Sequence, residues 1–375
     1  MKVKYCGMCR DYSGYGEAAR HDVASLHAVG VQVTTEIPSY VIEKSDFGEI
    51  GDLCTRLENN QLGYQIKILH TTPNVYPKYF EPGKYHIARA FWETDKVPDD
   101  FAKYIQMCDE VWTGSIFNQD AMRKAGITKP IYIIPEAIDT APVTTQPFLT
   151  PIGDVFSFYS IFEWTERKNP QALLEAYWET FSSEDSVAMV IKTYIDNFQQ
   201  LKKDELLSEI KKIKKILNLE YYAPLYIYND LLSRNQMKRF HHTFDCFVSS
   251  HRGEGWGIPQ MEALLSAKPI ISTNLGGIHE YLTSGTDSVL IPYTLEKVNN
   301  SRNKNWYGED QNWARIDKDE LKKAMRDMYR AGKESARDMG LRGHSTCIDK
   351  FSLHKVGDIM MHRLQEIQKT LHPQE

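Results

Sequence analysis

Long hydrophobic runs are missing from this chain: no stretch approaches the roughly 18 to 20 apolar residues that a membrane-spanning helix needs. The N-terminus, MKVKYCGMCR, also lacks the apolar core of a secretory signal peptide. We therefore expect a cytoplasmic protein. The basic amphipathic segment KKDELLSEIKKIKKILNL (202–219) interleaves acids with its lysines and has no aromatics. This pattern favours a solvated helix, with peripheral membrane contact as the open alternative.

An excess of positive charge is missing too. Lysine and arginine number 45 against 50 for aspartate and glutamate, which gives a formal net charge of −5 and no overall basic field to gather nucleic acid. The 6 cysteines are scattered, and the only C-x-x-C, Cys6 to Cys9, has no second pair to complete a zinc site. We interpret the cysteines as reduced thiols, in keeping with a cytoplasmic chain.

What the sequence does contain is an alternation of short β-rich runs with helical patterns, which predicts parallel sheets with crossover helices. The alternation stops in a proline-containing stretch at 138–153 and then restarts, which is typical of a linker. The predicted fold class is α/β, with two doubly wound, Rossmann-like domains facing each other across a cleft. We expect residues 1–145 to form an N-terminal domain and 154–350 a C-terminal one, with a last helix at about 354–375 packing back on the first.

The stretch RGEGWGIPQMEA (252–263) carries two glutamates, Glu254 and Glu262, on either side of a glycine-rich turn. Pro259 suits the first turn of a helix, so we expect a helix to begin just after Gly257 with Glu262 in its first turn. A glycine-rich loop that leads from a strand into a helix N-terminus suits a phosphate group. Carboxylates repel phosphate but accept hydrogen bonds from neighbouring hydroxyls. The two glutamates therefore suggest two diols, a ribose and a hexose joined by a diphosphate.

This stretch resembles the Glu-x7-Glu motif of retaining glycosyltransferases of the GT-B fold, family 4 type (glycosyl transferases group 1). The following PIISTNLGGIHEYL (269–282) is similar to that family's next strand and loop. The resemblance implies that Glu254 contacts the transferred sugar and Glu262 the nucleotide ribose. It further implies that backbone amides facing the sugar and diphosphate belong to Gly255, Trp256 and Gly257. The alternative is a plain helix start, where the helix dipole favours a glutamate.

A basic pair, Arg167 and Lys168, follows the first strand of the second half and resembles the family's segment that neutralises the donor diphosphate. Fixed cations suit that place because negative charge grows on the leaving group as the glycosidic bond breaks. A solvated helix N-terminus is the alternative, although cations there oppose the helix dipole. The family often has another basic residue where this chain has Phe162; Arg167 itself, Lys192 and Arg252 are the candidates to replace it.

In the N-terminal half, SGYGEAAR contains Gly14 and Gly16, which the resemblance places in a loop that meets donor phosphate or acceptor; a plain turn is the alternative. The pattern also fits G-x-G-x-x-A, with Glu36 after the second strand, as in a dinucleotide-binding oxidoreductase. The first glycine lies too far from the preceding strand for that fingerprint. In HIARAFWETDKVP (86–98), Glu93 stands where many family members have a catalytic-site histidine; a strand-end cap is the alternative.

Weaker signals lie elsewhere in the chain. Relatives hold the nucleobase through backbone groups at the place of LYIYND, which here indicates Tyr228, Asn229 and Asp230. His251 and His279 flank the main motif, and whether they bind a ligand stays open. Asp317 and Asp319 have the D-x-D form of metal-bound sugar-nucleotide sites in a different fold. Because Asp317 with Glu320 makes a capping-box-like helix start, we favour helix capping.

The sequence thus predicts an enzyme of the GT-B fold, a retaining, metal-independent hexosyltransferase. The resemblance implies a donor that is a nucleotide diphosphate sugar, UDP- or GDP-linked, bound mainly by the C-terminal half, and an acceptor bound by the N-terminal half. The acceptor stays open between a glycan, a lipid-linked glycan, a protein and a small molecule, with no strong sign of nucleic acid. Two alternatives are an epimerase or hydrolase of the same fold and a noncatalytic sugar-nucleotide binding module.

Overall fold

A computed structural model describes residues 1–38, 47–141, 146–195, 202–299 and 305–372. The chain divides into two compact units. The N-terminal domain comprises Met1–Ala141 with Cys347–Glu375, and the C-terminal domain comprises Pro142–Thr346. The domain end expected at residue 145 lies outside the described residues.

The N-terminal domain is built on a parallel sheet of six described strands in the order β2-β1-β3-β4-β5-β6. The chain leaves β1 toward β2 on one side and leaves β3 toward β4 on the other, so the winding reverses between β1 and β3. Ligands of open α/β sheets bind at the carboxyl ends of the strands at such a switch point. The strands are β1 (Lys2–Gly7), β2 (Gln32–Glu36), β3 (Ile66–His70), β4 (Tyr85–Arg89), β5 (Glu110–Thr113) and β6 (Ile131–Ile133). The helices between them are α1 (Gly14–Ala28), α2 (Gly48–Arg56), α3 (Tyr76–Tyr79), α4 (Asp99–Ile105) and α5 (Ile116–Lys124).

The C-terminal domain contains a second parallel sheet, ordered β12-β11-β10-β7-β8-β9 in its described part. Counted from β7, this is the 3-2-1-4-5-6 order of dinucleotide-binding sheets, with its switch point between β7 and β10. The strands are β7 (Phe156–Glu163), β8 (Val187–Tyr194), β9 (Leu225–Tyr228), β10 (Cys246–Ser249), β11 (Ile270–Thr273) and β12 (Ser288–Ile291), followed by an antiparallel hairpin of β13 (Tyr293–Lys297) and β14 (Asn312–Ile316). The helices are α6 (Pro170–Thr180), α7 (Lys203–Leu217), α8 (Arg234–Thr243), α9 (Ile258–Leu265) and α10 (Lys318–Phe351).

Local sequence explains where the helices of the C-terminal domain begin. Asn169 caps α6 through its side chain, which accepts from the amide of Ala172, and Pro170 opens the helix. Helix α9 begins directly after Gly257, as predicted, and has its proline in the first turn. The expectation that Glu262 lies in the first turn of α9 is wrong. The helix starts at Ile258, so Glu262 begins the second turn, beyond the reach of most of the dipole.

The last helix, α11 (Leu353–Leu371), belongs to the N-terminal domain and packs on α1. It follows α10, whose backbone is interrupted at Gly332 with φ of 81°. A cluster of buried α11 side chains at helical spacing joins the N-terminal core: Val356, Met360, Leu364 and Ile367. Gly357 brings the two helices close, because a Cβ there would come within 2.3 Å of the Ser25 carbonyl oxygen. This packing makes the C-terminus of the chain part of its first domain.

Two further properties bear on the expectations from sequence. All six cysteines are free thiols with buried side chains. Within the described ranges, no helix combines the length and the apolar character needed to cross a membrane.

Candidate active site

Two loops meet at the switch point of the C-terminal sheet. One follows β7 and carries Arg167 and Lys168; the other follows β10 and carries the RGEGWG stretch. The loops are joined through the backbone, since the Arg252 amide donates to the Arg167 carbonyl oxygen at 2.7 Å. The Arg167 guanidinium in turn donates to the Gly253 carbonyl oxygen at 2.9 Å. The sheet order thus brings together two motifs that lie far apart in the chain.

Glu254 is the buried anion of this cluster. Lys168 Nζ donates to Glu254 Oε2 in an ion pair that both side chains make while largely shielded from water. Burial by itself would raise the pKa of the Glu254 carboxyl, but the charges of Lys168 and Arg167 lower it to about 2. Glu254 is therefore a carboxylate at neutral pH. It can accept hydrogen bonds from hydroxyls and face positive charge, but it has no proton to donate.

A further loop, between β11 and β12, packs closely against the RGEGWG loop, and its glycines make this close packing possible. A Cβ on Gly276 would come within 2.2 Å of the Glu254 carbonyl oxygen, and a Cβ on Gly277 within 2.2 Å of the Gly255 carbonyl oxygen. Gly257 has φ of 93°, a left-handed conformation that favours glycine. Gly276 and Gly277 are thus required by close backbone packing, and Gly257 is favoured by its backbone conformation. The prediction that amides of 255–257 face a phosphate stays a prediction.

Aromatic and histidine side chains tie the same loops together. Tyr281 Oη lies 2.9 Å from the carbonyl oxygens of both Trp256 and Gly257, and the Trp256 indole is buried. His251 is fully buried, with Nε2 2.8 Å from the Leu275 carbonyl oxygen and Nδ1 3.0 Å from Ser249 Oγ. Burial lowers the pKa of His251 to about 4. His251 therefore links its loop to the loop of Leu275 through Nε2 and to the end of β10 through Nδ1. The exposed His279 contacts Asn274 Oδ1 at 2.7 Å.

Glu262 is held by two residues that the sequence did not single out. Arg234, the first residue of α8, forms an ion pair with Glu262 Oε1. His241 Nε2 lies 3.3 Å from Glu262 Oε2, and its Nδ1 lies 3.0 Å from Tyr159 Oη. Arg234 and His241 precede Glu262 by 28 and 21 residues, so local patterns give no signal for either contact.

Arg252, a candidate for the donor phosphate, turns toward the hairpin. Its guanidinium pairs with Glu296 on β13 and lies 5.2 Å from the centre of the Trp313 ring on β14. The Arg252 carbonyl oxygen also accepts from the Ala314 amide at 2.6 Å. Arg252 thus docks the hairpin onto the motif loop, and this contact competes with any role of its charge at a phosphate.

Phe162 has apolar surroundings in the structure, and of its proposed basic substitutes Lys192 lies on the neighbouring strand. Phe162 is buried in the core of the domain beside Trp164. Lys192 lies on the neighbouring strand β8, paired in register with Ile161. Burial lowers the pKa of Lys192 to about 8, with the Asp230 carboxylate acting in the opposite direction. Lys192 and Arg167 therefore both place basic groups near the carboxyl ends of β7 and β8.

The weaker nucleobase candidates lie at the carboxyl end of β9. Tyr228 ends the strand, and its hydroxyl donates to Thr150 Oγ1 at 3.0 Å while its ring packs on Phe148 and Phe240. Asn229 is buried and Asp230 exposed. The Tyr228 side chain thus has a packing role; a backbone role for 228–230 stays a prediction.

The candidates in the N-terminal domain are Gly14, Gly16 and Glu93. The expectation that the two glycines lie in a loop is wrong, because both belong to the first turn of α1. Gly16 is indispensable for packing, because a Cβ would come within 2.0 Å of the Asp11 carbonyl oxygen, whereas Gly14 has open space around it. Glu93 is half-buried in the loop after β4, next to a buried Trp92 whose indole donates to Thr94 Oγ1 at 2.7 Å. The three residues do not lie in the C-terminal domain that holds Glu254.

Glu36, the residue that would contact the ribose in a dinucleotide site, is occupied by ion pairs. Its Oε2 lies 2.7 Å from Lys67 Nζ and 3.4 Å from Lys4 Nζ. Lys67 is almost fully buried, so Glu36 neutralises a charge that would otherwise be costly. These contacts argue against the oxidoreductase interpretation.

Metal-binding signals are weak in the described part of the chain. It contains no group of three or more His, Cys, Asp or Glu side chains placed to hold a metal ion. Asp317 of the D-x-D pattern accepts from the amides of Asp319 and Glu320, both at 3.1 Å, which confirms the helix-capping interpretation.

One protein family and several solved structures are similar to this chain. Residues 154–299 match the model of the family Glycosyl transferases group 1. Similar solved structures include HepE from Anabaena in complex with UDP and glucose, with 12% identity, a TM-score of 0.67, and coverage of 98% of this chain and 100% of that one. Sucrose-phosphate synthase from Thermosynechococcus elongatus has 12% identity and a TM-score of 0.69, with coverage of 99% and 100%. A glycosyltransferase from Rickettsia africae has 15% identity and a TM-score of 0.66, with coverage of 98% of each chain.

These likenesses establish the fold. The protein has the two Rossmann-like domains of the GT-B fold, as the sequence predicts. A comparison with curated protein sequences found no match. The family match lies within the C-terminal domain and covers Arg167, Lys168, Glu254 and Glu262.

Proposed function

We propose that the protein is a retaining glycosyltransferase of family 4 type that moves a hexose from a nucleotide diphosphate sugar, UDP- or GDP-linked, to an acceptor hydroxyl. The observation that carries the proposal is the cluster at the C-terminal switch point. There Glu254 lies against the cations of Lys168 and Arg167, and Glu262 stands on the helix that follows. The family match over 154–299 supports it, because that segment contains the whole cluster.

In this proposal Glu254 binds hydroxyls of the transferred hexose. Its low pKa excludes the part of a proton donor, which is the usual task of one carboxyl group in glycoside hydrolysis. A carboxylate held by Lys168 can accept hydrogen bonds from two hydroxyl groups, and its charge stabilises positive charge that develops on the sugar. The role of Glu254 is therefore binding and electrostatic.

Arg167 and Lys168 stabilise the leaving diphosphate. The bond between the anomeric carbon and the phosphate oxygen breaks, and the acceptor oxygen bonds to that carbon on the same face. The proton of the acceptor hydroxyl passes to the leaving phosphate. Negative charge grows on the diphosphate during this step, and preorganised cations in a shielded site offset it without a metal ion. Gly255, Trp256 and Gly257 would add backbone donors, and Lys192 a further cation.

Glu262 binds the ribose, with Arg234 and His241 fixing its orientation. The N-terminal domain binds the acceptor, with Glu93 at the catalytic site. Gly14 and Gly16 contact either the donor phosphate or the acceptor. The complexes of HepE with UDP and with UDP-glucose make uridine nucleotides the first donors to try.

The test of donor binding is a thermal-shift screen against UDP- and GDP-linked sugars. A true donor at about 100 times its Kd adds roughly 2.7 kcal/mol to the stability of the folded state. Glu262→Ala should lose most of that stabilisation, Glu254→Ala should keep part of it, and the exposed Glu184→Ala should keep all of it. Equal stabilisation of wild type and Glu262→Ala would remove Glu262 from the ribose site.

The test of reaction type uses the donor found by that screen. Incubation with and without acceptors separates the outcomes. Product that forms only with an acceptor supports transfer. Product from the donor alone favours an epimerase or hydrolase, and saturable binding without turnover favours a binding module. Unchanged rates in the presence of EDTA are expected, and a rate restored only by a divalent metal would contradict metal independence.

A further inference from the structure

The switch point of the N-terminal sheet carries a buried polar cluster to which no role has been given. His70 is the last residue of β3 and pairs in register with Gly7, the last residue of β1. These two strands flank the point where the winding reverses. His70 is almost fully buried, as are Tyr5, Asp22 and Arg89 around it. Sheets of this topology bind ligands at this place, so the state of His70 matters.

The contacts around Tyr5 determine which nitrogen of His70 carries the proton. Arg89 donates to both carboxylate oxygens of Asp22, at 2.8 and 3.2 Å, so Asp22 is a carboxylate with no proton to give. The Tyr5 hydroxyl therefore donates its single proton to Asp22 Oδ2 at 2.8 Å. Tyr5 Oη also lies 2.5 Å from His70 Nδ1, and with its own proton engaged it must accept there. Nδ1 thus carries the hydrogen of the imidazole.

The protonation state of the other ring nitrogen of His70, Nε2, follows from this assignment. Burial lowers the pKa of His70 to about 4, so the ring is neutral at physiological pH and Nε2 is a bare acceptor. Nε2 is buried and finds no hydrogen-bond partner among the residues described. A buried polar atom without a partner costs free energy, and in a folded protein it calls for a specific explanation.

Aromatic rings lie around His70. The centre of the Tyr15 ring, in the first turn of α1, is 5.8 Å from that of His70, and the Phe91 ring, after β4, is 6.1 Å from it. Both rings are only half-buried, so this aromatic surface beside the imidazole is partly exposed to solvent. An apolar ring surface beside a single hydrogen-bond acceptor suits a saccharide, which presents C–H faces as well as hydroxyl groups.

We propose that His70 Nε2 accepts a hydrogen bond from a hydroxyl of a saccharide acceptor, and that Tyr5, Asp22 and Arg89 are positioning residues that fix its tautomer. This inference rests on the proposed function, because a bound saccharide is an acceptor only if the protein also binds a donor sugar elsewhere. It adds to that function a chemical class, a saccharide, and a residue that recognises it. His70 makes no covalent bond in this role.

Nitrogen-15 NMR of the full chain, labelled at histidine, tests the tautomer without reference to activity. Protonated and bare ring nitrogens resonate far apart, and the spectrum of His70→Gln assigns the His70 signals. We expect a neutral ring with Nδ1 protonated and Nε2 bare, and loss of that preference in Tyr5→Phe. A proton on Nε2, or a charged ring at neutral pH, would overturn the proposal.

The same sample then tests the ligand. Methyl glucoside, methyl galactoside and methyl mannoside are added in turn in the presence of UDP. A change of the Nε2 signal toward that of a hydrogen-bonded nitrogen with at least one glycoside supports the site; no change with any of the three overturns it. If the signal changes but no nucleotide sugar is ever turned over, the proposed function fails and the saccharide site stands.

Variants separate binding from a structural role. Gln carries an acceptor oxygen near the place of Nε2, whereas Phe keeps the ring and loses the nitrogen. We expect His70→Phe to raise the KM for the methyl glycoside about 3- to 10-fold, the effect of one neutral hydrogen bond, and His70→Gln to restore much of it. Thermal stabilisation by UDP should stay in both. Equal losses in the two variants, or loss of UDP stabilisation, would contradict a role in acceptor binding.

Discussion

The two sheets differ in where their polar groups lie near the switch point. In the C-terminal domain the functional candidates lie on loops beyond the strands. In the N-terminal domain the polar groups belong to the strands and the first helix. In the C-terminal domain the cations of Lys168 and Arg167 keep Glu254 charged. In the N-terminal domain the charge of Arg89 is neutralised by an ion pair with Asp22, and His70 is uncharged. Two parallel sheets with different strand orders therefore support a charged site in one domain and a neutral histidine in the other.

A tyrosine and a histidine are paired in both domains, with different results. Tyr159 on β7 and His241 on α8 contact each other as Tyr5 and His70 do. His241 uses its second nitrogen to hold Glu262, while Nε2 of His70 has no partner in the described structure. A tyrosine–histidine pair can therefore orient a carboxylate or leave a ring nitrogen available as an acceptor. Which of the two occurs depends on whether a carboxylate lies next to the second ring nitrogen.

The largest expected effect concerns the charge of Glu254. Glu254→Gln keeps the size of the side chain and removes the carboxylate, so transfer should slow by about 10²- to 10³-fold, the typical cost of losing one preorganised electrostatic group. Initial rates at saturating donor measure this. The exposed Glu184→Gln is the matched control and should keep the wild-type rate. A Glu254→Gln enzyme with wild-type kcat would mean that the charged site plays no part in the chemistry.

The second effect is the opposite pH dependence of two buried carboxyls. The pKa of Glu254 falls from an ordinary 4.5 to about 2, so Glu254 stabilises the folded state above pH 4.5 and this stabilisation is lost as the pH falls toward 2. It amounts to about 3 kcal/mol at 1.36 kcal/mol per pKa unit. In thermal melts between pH 3 and 7, Glu254→Gln should show a flatter rise of stability with pH than the wild type.

Glu136 in the N-terminal domain provides the contrast. Burial raises the pKa of its carboxyl to about 8, with the Arg89 charge acting against the rise. Stability from this group is present below pH 4.5 and is lost as the pH rises toward 8. In thermal melts, the stability of Glu136→Gln relative to the wild type should therefore increase from pH 5 to pH 9. If the stabilities of the Glu254 and Glu136 variants, relative to the wild type, changed with pH in the same direction, the two carboxyl groups would not have opposite pKa shifts.

The third effect compares two glycines in the first turn of α1. Gly16→Ala forces a Cβ to within 2.0 Å of the Asp11 carbonyl oxygen, whereas Gly14→Ala meets no atom within 4 Å. We expect Gly16→Ala to cost about 1–3 kcal/mol of unfolding free energy, as overpacking does, and Gly14→Ala to be near neutral. Denaturant unfolding measures both. In the C-terminal domain Gly277→Ala should resemble Gly16→Ala; neutral behaviour of either would remove the packing argument for that glycine.

The smallest effect distinguishes the two tyrosine–histidine pairs. Tyr5→Phe leaves both Asp22 and His70 short of a partner, while Tyr159→Phe leaves His241 with its contact to Glu262. Loss of one buried hydrogen bond costs about 1 kcal/mol, so Tyr5→Phe should be destabilised by about 1 kcal/mol more than Tyr159→Phe. Thermal melts of the two variants, compared at one pH, provide the measurement. Equal losses would indicate that Asp22 and His70 find other partners.

Much of the fold can be predicted from the sequence because its signals are local. The alternation of strand and helix patterns predicts both sheets, and Pro259 and Asp317 mark helix starts that the structure confirms. The position of Glu262 within α9 is one miss: the helix begins where expected, but its first turn ends before residue 262. Helix ends depend on individual caps, which patterns locate only approximately.

The candidate site was predicted in part for the same reason. Glu254 and Glu262 belong to one stretch whose glycines and proline can be recognised together. Their partners cannot be recognised in this way: Arg234 precedes Glu262 by 28 residues, and Arg252 meets Glu296 44 residues later. Neither contact follows from a spacing rule, because each depends on which strands and helices become neighbours.

By itself, then, the sequence determined the two doubly wound domains, the helix start after Gly257 and the residue types suited to a sugar and a diphosphate. These properties follow from periodicity and from backbone preferences that act over a few residues. Only the tertiary structure decided that Lys168 keeps Glu254 ionised, that Arg252 is paired with the hairpin, and that His70 is a neutral acceptor. Protonation and pairing depend on burial and on charges within a few ångströms, and those neighbours are brought together by strand order rather than by position in the chain.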